Sequence, residues 1–282
     1  MESHTRRGIV IAALIFATVA SVGRLEQPGT FALLGGTPKI VSEFWAEHGT
    51  GLTATLKIRQ FQPNGTTPIL TYDVDMQHLM HLIVVRDDFA TFAHLHPAFD
   101  TTTGTFSQRF TKQPNHKYYV YADTTPHGIG HQVFRFTIER DGPQAALTPS
   151  SAASSADVKA GPYVVILAKT TLKANTPQKL DLSVVKGDDP APDLAPYLGA
   201  PAHVVLIDTK TLQYAHVHPM LRGQTMSPDH KIMNPVIGTT HAGPFMQLML
   251  PALPAGIYKT WVQIAGGPKL TVYTAPFTLA VQ

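Results

Sequence analysis

Short runs rich in Val, Ile, Thr, Tyr and Phe recur along the chain, among them LTATLKIRQF (52–61), HLIVV (81–85), TFSQRF (105–110), KYYVYA (117–122) and VFRFTI (133–138). Clusters of Pro, Gly, Asn and Asp separate them. Runs of this length and composition, bounded by turn formers, predict an antiparallel β-sandwich of about seven strands. No segment carries a helical period; Ala191–Tyr197 (APDLAPY) is expected to form a helical turn at most.

Self-similarity organises these runs. His81, His94, His96 and Pro97 share the pattern H-x12-H-x-H-P with His203, His216, His218 and Pro219. The match extends outward from TLKIRQF (55–61) to DLSVVKG (181–187), and from Gly104-Thr105-Phe106 to Gly243-Pro244-Phe245. It continues from YYVYAD (118–123) to YKTWVQ (258–263) and from FRFTIE (134–139) to PFTLAV (276–281). Residues 142–159 are rich in Pro, Ala and Ser without periodicity, a linker composition. The expectation is therefore an all-β chain of two tandem Ig-like or cupredoxin-like sandwiches, at 30–141 and 160–282.

The histidines follow from this scaffold. If HLIVV and FAHLH (92–96) pair as a hairpin across RDDFAT, His81 faces His96 and Ile83 faces His94. Opposed residues share a face, as do residues two apart on one strand, so His81, His94 and His96 converge. The same register gathers His203, His216 and His218. Three imidazoles on one face suit a three-histidine metal site with a fourth position for water or a side chain. His78, His127 and His131 are further candidates in the first half, and His241 and His230 in the second. Pro97 and Pro219 read as strand ends, Asp123 and Gln263 as structural hydrogen-bonders.

Composition narrows the chemistry. The 282 residues contain 14 His and no Cys, which excludes disulfides, thiolate metal sites, iron–sulfur centres and Cys nucleophiles. A net charge of +3, without a Lys/Arg tract, gives no footprint for nucleic acid. At the N-terminus, Arg6-Arg7 precede an apolar run from Gly8 to Gly23, with small residues at Thr18, Ala20, Ser21 and Gly23. This pattern predicts a signal peptide over residues 1–23 and a periplasmic or secreted protein, held at the membrane only if the segment stays as an uncleaved anchor.

The methionines point to a metal. Apart from the first residue, all stand near histidines in sequence: Met76, Met80, Met220, Met226, Met233, Met246 and Met249. Met80 and Met220 are candidate ligands. Thioether with imidazole, and no thiolate, favours copper as Cu(I) or Cu(II), with zinc as the alternative; a blue-copper centre is excluded because it needs a Cys sulfur. The leading expectation is an extracytoplasmic protein that binds or buffers copper, or delivers it to another metal-handling protein, through a cluster in each repeat. The second is a non-catalytic module for a protein or glycan partner, its histidines bracing the fold. A three-histidine metalloenzyme ranks last, because Asp87, Asp88 and Asp208 fall in hairpin loops away from the cluster.

MHLIVVRDDFATFAHLHP (80–97), with YVYAD after it, resembles a family of exported, largely uncharacterised bacterial proteins of two similar β-domains. Its members carry MHL…HLHP in the first half and YLGA…HxHP in the second. Here the second motif is Tyr197-Leu198-Gly199-Ala200 before His203 and Tyr214-Ala215-His216-Val217-His218-Pro219 after it. Some members are associated with copper or heavy-metal handling, so the resemblance implies metal binding. Two departures are Pro201-Ala202, where a Gly is usual before the histidine, and the added histidines of PHGIGH (126–131).

Overall fold

The computed structural model describes residues 37–146, 155–222 and 241–282. The expected signal segment lies outside the described residues. The described chain is all-β, with several antiparallel sheets and no helix among the described residues.

The first half contains β1 (Val41–His48), β2 (Thr53–Phe61), β3 (Met80–Arg86), β4 (Phe92–Leu95), β5 (Ala98–Asp100), β6 (Thr105–Thr111), β7 (Tyr118–Thr124) and β8 (Gln132–Ile138). They form a first sheet, β1-β2-β6-β5, and a second, β4-β3-β7-β8. The second half opens with β9 (Asp157–Ala160), which begins inside the stretch whose composition suggested a linker. It continues with β10 (Tyr163–Leu167), β11 (Thr171–Leu172), β12 (Gln178–Lys186), β13 (Asp189–Pro190) and β14 (Leu194–Ala195). The remaining strands are β15 (His203–Asp208), β16 (Tyr214–Val217), β17 (Met220–Leu221), β18 (Phe245–Leu250), β19 (Gly256–Gly266) and β20 (Thr271–Val281). The third sheet runs β11-β20-β19-β15-β16 with β14 on β19; the fourth runs β17-β18-β12-β10-β9 with β13 on β12. Where a helical turn was expected near Ala191–Tyr197, the chain forms β14, which pairs Leu194 with Gly266 and Ala195 with Ala265. Pairing with β19 satisfies this backbone more fully than one isolated turn would.

Three cores hold these sheets. Leu56, Ile58, Leu82, Val84, Phe106 and Val120 fill the space between the first and second sheets. Val165, Leu182, Val204, Leu206, Val262 and Phe277 do the same between the third and fourth. The third core joins the halves: Ile83, Val85 and Tyr121 of the second sheet pack on Val205, Ile207, Tyr214 and Trp261 of the third. Phe92 stacks on Trp261 with centroids 4.8 Å apart, and Tyr121 on Tyr214 at 4.9 Å. The second and third sheets are thus covered on both faces. That accounts for the unbroken apolar runs of β3 and β15, since a strand buried on both faces needs no polar alternation.

Candidate metal centre

Each inner sheet changes character along its length. At one end the face between the halves is aliphatic and aromatic; at the other it is histidine. On β3 the residues alternate: Met80, Leu82 and Val84 enter the first core, while Ile83 and Val85 face the second half and His81 shares their face by the period of two. The hairpin register agrees with the one read from the sequence, with Leu82 opposite Leu95 and Ile83 opposite His94. Likewise Val204 pairs with Val217, and Val205 with His216. Both triads therefore project into the seam between the second and third sheets. They are one cluster and not the separate cluster per repeat that was expected: ring centroids of His81 and His216, and of His94 and His216, lie 5.2 Å apart, and those of His94 and His203 5.3 Å.

A pair of matching turns fixes the first histidine of each triad. Asp75–His78 and Tyr197–Ala200 close with reciprocal backbone hydrogen bonds, and their central residues take positive φ: Met76 at 39° and Gln77 at 70°, Leu198 at 51° and Gly199 at 80°. Two positive φ values define the tight primed turn, and Met76, Gln77 and Leu198 adopt them without being glycine. The turns aim the Asp75 and Tyr197 carbonyls at the imidazoles. His81 donates from Nε2 to Asp75 O at 3.0 Å, and His203 from Nε2 to Tyr197 O at 2.9 Å. A carbonyl only accepts, so both protons sit on Nε2 and both Nδ1 atoms carry lone pairs.

The second histidine of each triad is fixed from the opposite half. His94 donates from Nδ1 to Gln263 Oε1 at 2.8 Å, while Gln263 Nε2 donates to Thr274 Oγ1 at 3.3 Å. His216 Nδ1 faces Asp123 Oδ2 at 3.5 Å. Their Nε2 atoms are left as acceptors directed inward. His81 Nδ1 and His94 Nε2 lie 2.9 Å apart, and His203 Nδ1 lies 3.2 Å from His216 Nε2 and 3.1 Å from His218 Nε2. The ligand atoms of His81, His94, His203 and His216 all lie within 4.8 Å of one another, an arrangement that can hold a metal ion.

Burial favours the neutral form of His81, His94, His96, His203 and His218. His81 and His203 are each 1% exposed. Desolvation, reinforced by neighbouring imidazoles, pushes the pKa of His94 down to about 2 and that of His96 to about 3. The same causes lower His81 and place His203 and His218 well below the ordinary histidine value. Asp123 is the counterweight. Although burial opposes its charge, hydrogen bonds from His131 and His216 hold its carboxyl well below the usual range. It accepts from His131 Nε2 at 2.5 Å and from the Tyr214 hydroxyl at 3.0 Å.

The other candidates are placed as follows. His78 stacks on His96 with centroids 3.8 Å apart and so joins the first triad. His131 reaches the cluster through Asp123. His127 is paired at the surface with Asp73 at 2.6 Å, its side chain 71% exposed. Met80 is corrected: the period of two that turns His81 into the seam turns Met80 into the first core, where it is buried. Met246 belongs to the core between the third and fourth sheets, Met249 is exposed, and Met220 is buried on β17 in the fourth sheet. His241 is exposed. His230, Met226 and Met233 lie outside the described residues. The sequence reading missed the carbonyls of Asp75 and Tyr197 and the hydroxyl of Tyr214. The turn Tyr197-Leu198-Gly199-Ala200 was the available signal, since a Gly at its third position marks a positive φ.

No curated protein matches the chain. Among solved structures it has a likeness to MtrC from Shewanella baltica OS185, at 10% identity over 85% of this chain and 68% of that one, with a TM-score of 0.24. It has another to the native conformation of E. coli alpha-2-macroglobulin, at 10% identity over 87% of this chain and 16% of that one, with a TM-score of 0.22. Scores this low carry no inference. Residues 156–282 match the model of a domain of unknown function, DUF8832, and together with the all-β fold this fits an uncharacterised β-sandwich family.

Proposed function

We propose that the protein is an extracytoplasmic copper-binding protein that buffers, stores or delivers the metal through histidines of both halves. One observation carries the reading. His81 Nδ1 and His94 Nε2 face each other at 2.9 Å, and the protons of both rings are committed to other acceptors. Two lone pairs at hydrogen-bond distance repel unless a cation lies between them. A proton is a poor candidate, because burial depresses the basicity of His94 so far. A metal ion with N–metal bonds of 2.0–2.1 Å holds tetrahedral nitrogens roughly 3.3 Å apart, close to the observed spacings.

The surroundings support metal binding. A ligating histidine that gives its other N–H to a carbonyl, amide or carboxylate has its tautomer and orientation set and its basicity raised. Copper is favoured because imidazole donors suit it and Cu(II) stands at the top of the divalent affinity order; zinc is the competitor. The thioether argument is weaker than the sequence suggested, since Met80 and Met246 lie in cores. Export rests on the N-terminal pattern alone.

Metal analysis of the isolated protein, followed by competition titrations with Cu(I), Cu(II) and Zn(II), tests the reading. Copper should bind most tightly, and a His94→Ala/His96→Ala variant should lose that affinity. No uptake, or a variant that titrates like the parent, would leave the histidines as structural braces.

A further inference from the structure

Resting on the metal-binding reading, we infer that the cluster is a dinuclear cuprous centre, with one Cu(I) ion on His81, His94 and His96 and a second on His203, His216 and His218. A single four-coordinate ion would use His81, His94, His203 and His216 and leave two imidazoles of the seam unused. His96 Nε2 is shut off from solvent and has no hydrogen-bond partner. An unpartnered buried polar atom beside a ligand cluster is costly unless something binds it. Two ions employ all six rings.

Nitrogen spacing favours this division, since the facing nitrogens at 2.9, 3.2 and 3.1 Å pair within a triad. Imidazoles on one tetrahedral ion have centroids about 5 Å apart, as their bond lengths require, and such separations occur both within and between the triads. Within the first triad the centroids are separated by 5.1, 5.1 and 4.8 Å, and within the second by 5.4, 4.5 and 4.5 Å. The two triads also have matching hydrogen-bonded supports, a turn carbonyl behind the first histidine and a side chain of the opposite half behind the second. Charge selects the oxidation state. Neutral imidazoles bring no negative charge; among the described residues the buried Asp123 carboxylate touches the cluster and the Asp75 carboxylate acts on His81. Two monovalent ions bring half the positive charge of two divalent ions into this buried site, which favours Cu(I).

Anaerobic titration of the full chain with Cu(I), against a chromophoric Cu(I) chelator, tests the inference. We expect two tight equivalents per chain, falling to one in His96→Ala and to one in His218→Ala. The wild-type count needs no variant to fold. One equivalent in the wild type would overturn the ion pair while leaving metal binding intact, and none would overturn both. Two equivalents in all three chains would place the second ion elsewhere and overturn the assignment.

Discussion

His94, on β4 of the first half, gives its Nδ1 proton to Oε1 of Gln263, on β19 of the second half, at 2.8 Å. The contact has a counterpart running the other way, from His216 of the second half to Asp123 of the first. In its own sheet Asp123 lies opposite His81, and Gln263 opposite His203. Each of these side chains therefore borders one triad and supports the other. The cluster belongs to the seam, and its geometry depends on how the two inner sheets pack.

Gln263→Leu should weaken metal binding by roughly 10–100-fold, the usual effect of losing a group that orients a ligand. His94 would be free to place its proton on Nε2, where it blocks coordination. Gln263→Glu should restore an acceptor and recover most of the affinity. Competition titration of the two variants checks this; equal affinities would show that Gln263 does not control the tautomer.

Asp123→Asn should lower the pKa of His131. Burial pulls that pKa down, but the Asp123 hydrogen bond and charge raise it overall. Because the folded value is raised, the stability contributed by the pair through His131 is complete below about pH 6.5 and fades as pH rises through the folded pKa. NMR titration of the His131 ring protons in the metal-free protein reads the shift. A His131 that titrates alike in parent and variant would contradict the assigned contact.

The metal-free protein should lose stability below about pH 6.5. His94 and His96, with folded pKa values of about 2 and about 3, stay neutral while the same residues in the unfolded chain take up protons. Their folded values are depressed, so the stability is complete above the unfolded pKa and declines as pH falls toward the folded one. Each such group can contribute a slope of up to about 1.4 kcal/mol per pH unit. Urea midpoints at pH 7.5, 6 and 5 should fall steadily, with a shallower fall in His94→Ala. A flat profile would mean that these histidines are solvated.

Much of this was legible in the residues. The spacing of His81, His94 and His96 narrowed the register of the hairpin, because period-two alternation excludes every pairing that splits the three between faces, and the strand runs on either side of RDDFAT chose among the rest. What the spacing lacked was the face's destination. Nothing local says that Ile83 meets the other half while Leu82 meets its own, although the loss of alternation over 81–85 signalled burial on both sides. Methionines misled for the same reason: Met80 is next to His81 in sequence and on the opposite face in space. Asp123 and Gln263 were recognisable as hydrogen-bonders at matching positions, but their crossing depends on contacts between residues 91 and 169 positions apart.

Leu82 and Ile83 are neighbours on β3, both fully buried, and their substitutions should separate stability from metal binding. Leu82 fills the core between the first and second sheets, whereas Ile83 pairs with His94 and packs against the other half. Either change to Ala should cost about 2–5 kcal/mol, the range for removing a large aliphatic side chain from a core. Leu82→Ala leaves the seam in place, so its metal affinity, measured at a temperature where the variant is folded, should stay near that of the parent. Ile83→Ala leaves a void beside His81 and His94, letting the inner sheets shift by fractions of an ångström, and its affinity should fall by tenfold or more. Equal losses of affinity in the two variants would mean that the histidines are held by each sandwich separately and not by the packing between them.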